Sequence, residues 1–427
     1  MRGLRRPAAS IVIVTLLAAA CASRSVTPIG AGGQPFTPEA DERALWAGAE
    51  REEQALLKKA RPYEDPLLEH YLARVGERLT PGDVRVAGGP GFKFGVIRDP
   101  TLNAFALPTG KIYVHTGLLS RLDNEAQLAM ILGHEMTHVT HRHALSFHRD
   151  AQNKQILYGV LGTAAAIGVA ATTASRGDGG APAGAVIGQT ANTILGLGLQ
   201  LAAVAAINGY GRDLERDADD GGMQSLVHAG YDPKEAPKVF EVLRSESKDR
   251  GSLETFFFGS HPKLTERIET TRELVATRYA AAAAAPAAVR DTEDFQLRMR
   301  SVVRENASED IRAGRYAVAQ AQLDRVLAAT PRDPVAHMYY GDLHRLQAQR
   351  ARDAAQKAGS EGRALAAYEK AAALDPALAE PHRQLGFLYY QQKQNARARD
   401  AFRAYLALKP DASDAKRIKE YLVELDR

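Results

Sequence analysis

The chain of 427 residues has a single cysteine, few aromatics and no excess of charge. Cys21 is a lone thiol, and a lone thiol in an oxidising compartment is a liability that calls for an explanation. Aromatic residues make up 7%, and alanine carries much of the 45% apolar content. The formal net charge of +4 falls to about +1 if Arg2, Arg5 and Arg6 leave with an N-terminal segment, so charge gives no case for a nucleic-acid or anionic-lipid partner. The length still supports two or three domains with real cores.

Residues 1–21 read as a secretory signal, with a basic start, an apolar stretch from Ile11 to Ala20 too short to span a bilayer, and small residues at the end. Lipidation of Cys21 after cleavage accounts for the lone thiol. Ala18 stands where a lipobox usually has leucine, and Ala18-Ala19-Ala20 also suits ordinary signal peptidase. Ala22 after the cysteine favours the outer membrane. The expectation is a periplasmic lipoprotein anchored to that membrane, with a polar tether over residues 22–36.

What is present is chemical. Gly133-His134-Glu135-Met136-Thr137-His138 is an H-E-x-x-H signature inside an apolar helical run. On a helix turning about 100° per residue, His134 and His138 lie roughly one turn apart on one face, so both imidazoles reach one metal ion. Glu135 then stands beside the metal, placed to take a proton from an activated water and pass it to a leaving amine.

A third ligand is needed. His141 shares the face but lies about 10 Å along the axis from His134, and no Gly or Pro breaks the helix between them. The metzincin pattern needs Gly at position 141 and His at 144, where this chain has His141 and Ala144. A second helix, Gly211 to Asp219, offers Glu215 as a ligand, with Asp219 one turn on to accept a hydrogen bond from a ligand histidine.

In order along the chain, Leu102-Asn103-Ala104-Phe105-Ala106-Leu107-Pro108-Thr109-Gly110 with Lys111 to Val114, Gly117-Leu118-Leu119, the His134–His138 helix with Arg142-His143-Ala144, Arg212 to Asp219, and His261-Pro262 with Arg267-Ile268 resemble the HtpX/BepA-type zinc metalloproteases. The resemblance covers roughly residues 37–275 and is closest in layout to BepA-like periplasmic proteases. It implies a gluzincin with one zinc per chain held by His134, His138 and Glu215, and Glu135 as general base. His261 would face the metal, either donating to the oxyanion or occupying the open zinc position as a gate. Asn103, Ala104 and Phe105 would lie on a strand edge that holds substrate through main-chain hydrogen bonds; the plainer reading makes Asn103 a turn cap and Phe105 a core residue.

The fold class implied is α+β: a mostly helical zincin-like domain with a small sheet at 37–279, a linker at 280–295 and an all-α tetratricopeptide solenoid at 296–427. Helices are expected from Thr37 toward Ala60, after Asp65-Pro66 and from Lys263 to Thr277, and strands at Phe92–Arg98 and Lys111–His115. Two uncharged stretches, 155–175 and 181–211, are long enough to cross a membrane, but their Ala, Gly, Thr and amide content favours buried or membrane-resting helices. Ala364, Tyr368, Ala371 and Pro376 recur 34 residues later as Ala398, Phe402, Tyr405 and Pro410. Gly386 precedes Ala398 by 12 residues and Gly341 precedes Ala364 by 23, which places an insertion of eleven near Gln347–Lys357. Three helix pairs and a capping helix at Ala415–Leu425 follow. The expected function is an endopeptidase for unfolded or misassembled envelope proteins whose repeats recruit assembly partners; the competing class is a chaperone scaffold in which repeat binding dominates.

Overall fold

A computed structural model describes residues 26–152, 210–247 and 264–426. The chain separates into two compact units. The first takes the chain to Ile97, Thr101–His115 and Leu122–Thr292; the second takes Arg98–Pro100, Thr116–Arg121 and Glu293–Arg427. The architecture is α+β, with the small sheet in the first unit and helical repeats in the second.

The first unit opens with α1 (Ala40–Lys59), whose capping box pairs Glu39 with Glu42, two residues later than the Thr37 start expected from sequence. In α2 (Pro66–Leu79) the Asp65 carboxylate accepts from Leu67 and Leu68 N–H, and Pro66 occupies the first turn, where its missing N–H costs nothing. After the short α3 (Gly82–Ala87) come β1 (Lys93–Ile97), β2 (Ala104–Ala106) and β3 (Lys111–His115). They form a sheet in the order β1-β3-β2, parallel between β1 and β3 and antiparallel between β2 and β3, which leaves β2 on an edge of the described sheet. Thr116–Leu119 is a short helix, α4, of the second unit.

The central helix is α5 (Glu125–Thr140), capped by Asn124 and buried along its whole length. Its first acid, Glu125, survives burial because Tyr71 and Tyr231 donate hydroxyls to it at 2.8 and 2.7 Å. Against α5 packs α6 (Arg212–His228), and three glycines set the spacing. A Cβ on Gly222 would come within 2.9 Å of the His134 nitrogen, one on Gly133 within 3.1 Å of the Gly222 carbonyl oxygen, and one on Gly221 within 2.5 Å of Thr137. After Arg212–His228 the chain continues through a 3-10 turn at Pro233–Glu235 into α7 (Ala236–Ser247), then α8 (Leu264–Ala276) and the short α9 (Ala280–Ala283).

Two segments differ from expectation. The tether over 22–36 is docked from residue 26: Ile29 is buried with Val84 and Ala87, its N–H reaches the Thr140 carbonyl at 2.7 Å, and Phe36 N–H reaches the Ala87 carbonyl at 2.7 Å. Two apolar side chains suffice to pin a segment whose overall composition is polar. The linker over 280–295 belongs to the first unit as far as Thr292. Val289 bridges to Tyr231, Arg290 accepts from Ala126 N–H at 3.0 Å, and the Thr292 hydroxyl donates to Glu125.

The second unit stacks α10 (Glu293–Arg312), α11 (Tyr316–Ala329), α12 (Pro334–Gln349), α13 (Ala354–Leu374), α14 (Ala379–Gln391) and α15 (Asn395–Leu408), closed by α16 (Ala415–Leu425). Each repeat glycine lies against the aromatic ring of the next helix: a Cβ on Gly341 would meet Tyr368, and one on Gly386 would meet Phe402, both at 2.4 Å. The eleven-residue insertion is absorbed as helix. Compared with α14 and α15, α12 is three residues longer, α13 seven longer and their connection one longer. Within the same unit Asp310 is fully buried yet satisfied by Arg121, Arg315, Asn306 and Gln322.

Candidate metal centre

His134 and His138 sit one turn apart on α5, and Glu215 enters from the first turn of α6. The two Nε2 atoms face each other at 3.1 Å. Glu215 Oε2 is 3.5 Å from the first and its Oε1 is 3.6 Å from the second. All three side chains are at most 3% exposed. Bonds of about 2.0–2.1 Å in a tetrahedral zinc site put neighbouring ligand atoms roughly 3.3 Å apart, so this donor set has the dimensions of three corners of such a site.

The hydrogen-bonding partners point the same way. His134 Nδ1 lies 2.9 Å from Asp219 Oδ1 and therefore carries a ring proton, which leaves Nε2 as the nitrogen that can bind a metal once its own proton is lost. Burial and the Arg267 charge press His134 toward neutrality, yet its contacts with Asp219 and Glu215 outweigh them and lift its pKa to about 9. The acidic partners therefore favour positive charge on this ring. Burial also pushes the Asp219 carboxyl up, but the Arg267 charge and the His134 contact hold it below its ordinary value.

Residues 66–275 match the model of Peptidase family M48, and residues 351–423 match a tetratricopeptide repeat model. Residues 66–275 are a peptidase family M48 domain. The chain is similar to the Beta-barrel assembly-enhancing protease of Escherichia coli (strain K12), 30% identical over 236 residues that make up 55% of this chain and 43% of that protein. It is also similar to the Mitochondrial metalloendopeptidase OMA1 of Schizosaccharomyces pombe, 29% identical over 205 residues, 48% of this chain and 52% of that protein. The Arabidopsis thaliana protein of that name is 30% identical over 172 residues, 40% of this chain and 29% of its own length. The matches thus span about half or less of each relative.

In the M48 domain Glu135 follows His134 on α5 and is 2% exposed. Tyr210 lies with its ring centroid 4.6 Å from that of His138, and burial together with the Glu135 and Glu215 charges drives its phenol far up. Arg267, which the sequence places in a motif without a role, is the buried cation of the site. It grips Asp219 through Nε at 2.8 Å and Nη2 at 2.6 Å, and its Nη1 lies 3.8 Å from Glu215. That Nη1 has no hydrogen-bond partner among the described residues.

Asn103 directly precedes β2 and Ala104 and Phe105 lie in it; the strand packs against α5 and its three residues are buried. The Phe105 side chain packs with Ile97, Leu107 and Tyr113. Asn103 is 3% exposed and its Oδ1 has no hydrogen-bond partner among the described residues. His261 and Cys21 lie outside the described residues, as do 155–175 and nearly all of 181–211. Among the described residues no helix is long and apolar enough to cross a membrane.

The helix does end between His138 and His141, without Gly or Pro: α5 stops at Thr140, and Arg142 adopts a left-handed φ of 57°. Four acceptor contacts hold it there, to Glu42 at 3.0 and 2.6 Å, Glu39 at 3.1 Å and the Thr27 carbonyl at 3.1 Å. His141 turns to Asp217 at 2.5 Å rather than to the ligand cluster.

Proposed function

We propose that the protein is a zinc-dependent endopeptidase of the bacterial envelope that cuts unfolded or misassembled outer-membrane proteins, with the repeats recruiting assembly partners. The observation that carries the reading is the pair of imidazole nitrogens facing each other at 3.1 Å with a carboxylate across from both and Glu135 next in the helix. His134, His138 and Glu215 would hold the ion. Zinc, when bound, supplies a Lewis acid that polarises a carbonyl and brings the pKa of water to about 7. Glu135 takes the proton of the attacking water and delivers it to the amide nitrogen as the C–N bond breaks. Asp219, clamped by Arg267, fixes the His134 ring. The β2 edge orients an extended chain by main-chain pairing, which favours unfolded segments and reads little of their sequence. The unpartnered Asn103 Oδ1 fits a donor on such a chain.

The names of the bacterial relatives support a role around β-barrel assembly, and the signal-like N-terminus with Cys21 supports a periplasmic lipoprotein. For partners, the second unit presents a groove of about 850 Å³ lined in part by Arg345, Lys357, Arg383, Phe387 and Arg417. The test is metal analysis with casein digestion. Glu135→Gln should keep zinc and lose activity by at least about a hundredfold, whereas Glu215→Ala should lose both. Full activity in Glu135→Gln rejects the mechanism, and undiminished zinc in Glu215→Ala rejects the ligand set.

A further inference from the structure

His138 differs from His134 in what stands behind it. His134 donates its Nδ1 proton directly to a carboxylate, Asp219. Opposite His138 Nδ1, at 2.8 Å, is another imidazole nitrogen, Nδ1 of His143, and the far nitrogen of that ring, Nε2, lies 2.9 Å from Asp217 Oδ2. His143 reaches this position because Arg142 takes the left-handed conformation and turns the chain back on the end of α5. The ring is buried, at 2% exposure, while the Asp217 side chain is 47% exposed.

We propose that His143 and Asp217 are positioning residues that, through a two-imidazole relay, fix His138 in the tautomer able to bind the metal. The inference rests on the metal reading above. Two ring nitrogens 2.8 Å apart need one donor and one acceptor, so the relay has two possible directions. In the first, His138 Nδ1–H donates to His143 Nδ1, the only proton of His143 sits on Nε2, and that N–H donates to Asp217. His138 Nε2 is then a lone pair aimed at the ligand cluster. In the second, His143 donates to His138, which puts the His138 proton on Nε2, where it blocks coordination. It also sets the bare His143 Nε2 against a carboxylate oxygen at 2.9 Å, two acceptors in contact. Asp217 therefore selects the first direction. The arrangement extends by one imidazole the common device in which a carboxylate fixes a ligand histidine, and α6 supplies both carboxylates, Asp217 and Asp219, from the helix that carries Glu215.

The relay also excludes a second cation site. Donor atoms of His141, His143 and Asp217 lie within 4.8 Å of one another. Yet the relay commits His143 Nε2 to carrying a proton whenever His138 serves the first metal, so the two occupancies exclude each other.

The experiment measures zinc affinity of the full chain by competition with a chromophoric chelator, and records the visible spectrum of the cobalt-substituted protein. Asp217→Ala and His143→Phe should each weaken zinc by about 10–100-fold. They should also shift the cobalt bands, a signature that a merely structural role would leave in place. Asp217→Asn, whose amide oxygen still accepts from Nε2–H, should restore affinity to within about threefold of the unaltered protein. Should His143→Phe fail to fold, the half-exposed Asp217 pair of variants carries the test alone. Unchanged affinity and spectrum in Asp217→Ala overturn the relay. So does binding of two zinc ions by the unaltered chain with one lost in Asp217→Ala. His134→Ala is the control for the underlying reading: if it too leaves zinc affinity unchanged, the metal site itself fails, and if it alone abolishes binding, only the relay fails.

Discussion

At the residue scale, the proposed metal site makes a proton and the metal competitors for one lone pair on His134. With the ring pKa raised to about 9, the metal-free protein carries this histidine charged at pH 7. Zinc uptake should therefore release about one proton per ion at pH 7 and progressively less above pH 9, read with an indicator dye in weak buffer. Absence of release would show that the ring is already neutral. A pKa above the ordinary 6.5 stabilises the metal-free fold fully below that value, and the contribution is lost as pH climbs through about 9. His134, His138 and the pairing of Glu215 with Asp219 are legible in the sequence because i,i+4 spacing is a local property of helices. His143 is not, since its neighbour depends on Arg142 holding a left-handed turn against Glu39 and Glu42, about a hundred residues away. Arg267 likewise acquires meaning only when α8 delivers it to Asp219.

At the element scale, the distance between α5 and α6 sets the distance between the histidines and Glu215, and glycine sets that distance. Gly222→Ala would drive a methyl group to 2.9 Å from the His134 nitrogen, where backbone has no easy escape. The helices must part, so this substitution should weaken zinc binding and lower stability by about 1–3 kcal/mol, measured by chelator competition and urea unfolding. An effect on stability without one on zinc would show that α6 tilts about its Glu215 end. Glycine played the same part legibly in the repeats. Gly341 precedes Tyr368 by 27 residues and Gly386 precedes Phe402 by 16, and the two offsets agree once the insertion of eleven that the 34-residue period reveals is removed. At Gly133 and Gly222 no period exists to flag the contact.

At the scale of the whole molecule, the repeat groove is the surface on which recruitment can be tested without touching the peptidase site. Lys357→Glu with Arg417→Glu in a Glu135→Gln background should lower capture of envelope-assembly proteins while leaving zinc content unchanged. Equal capture would move recognition elsewhere. Domain order and repeat content were readable from the sequence, because motifs and periods survive in a single chain. The docked N-terminal segment and the folded 280–292 stretch were not. Each is held by a few long-range hydrogen bonds that leave no periodic trace, and alanine-rich composition suits a helix or a spacer equally.

The docking of Ile29 on the end of α5 has a consequence for reach. If Cys21 carries a lipid, five residues separate it from Val26, and a chain of that length spans at most about 17 Å. The peptidase would then patrol a thin layer beside the bilayer, and geography rather than sequence would choose its substrates: chains stalled at the membrane surface are within range, and soluble ones pass mostly out of it. Inserting a flexible spacer of about 20 Gly/Ser residues after Ser23 adds roughly 25 Å of reach. It should raise cleavage of a soluble unfolded substrate relative to a membrane-bound one, turning a surface-bound enzyme into one that samples the surrounding volume.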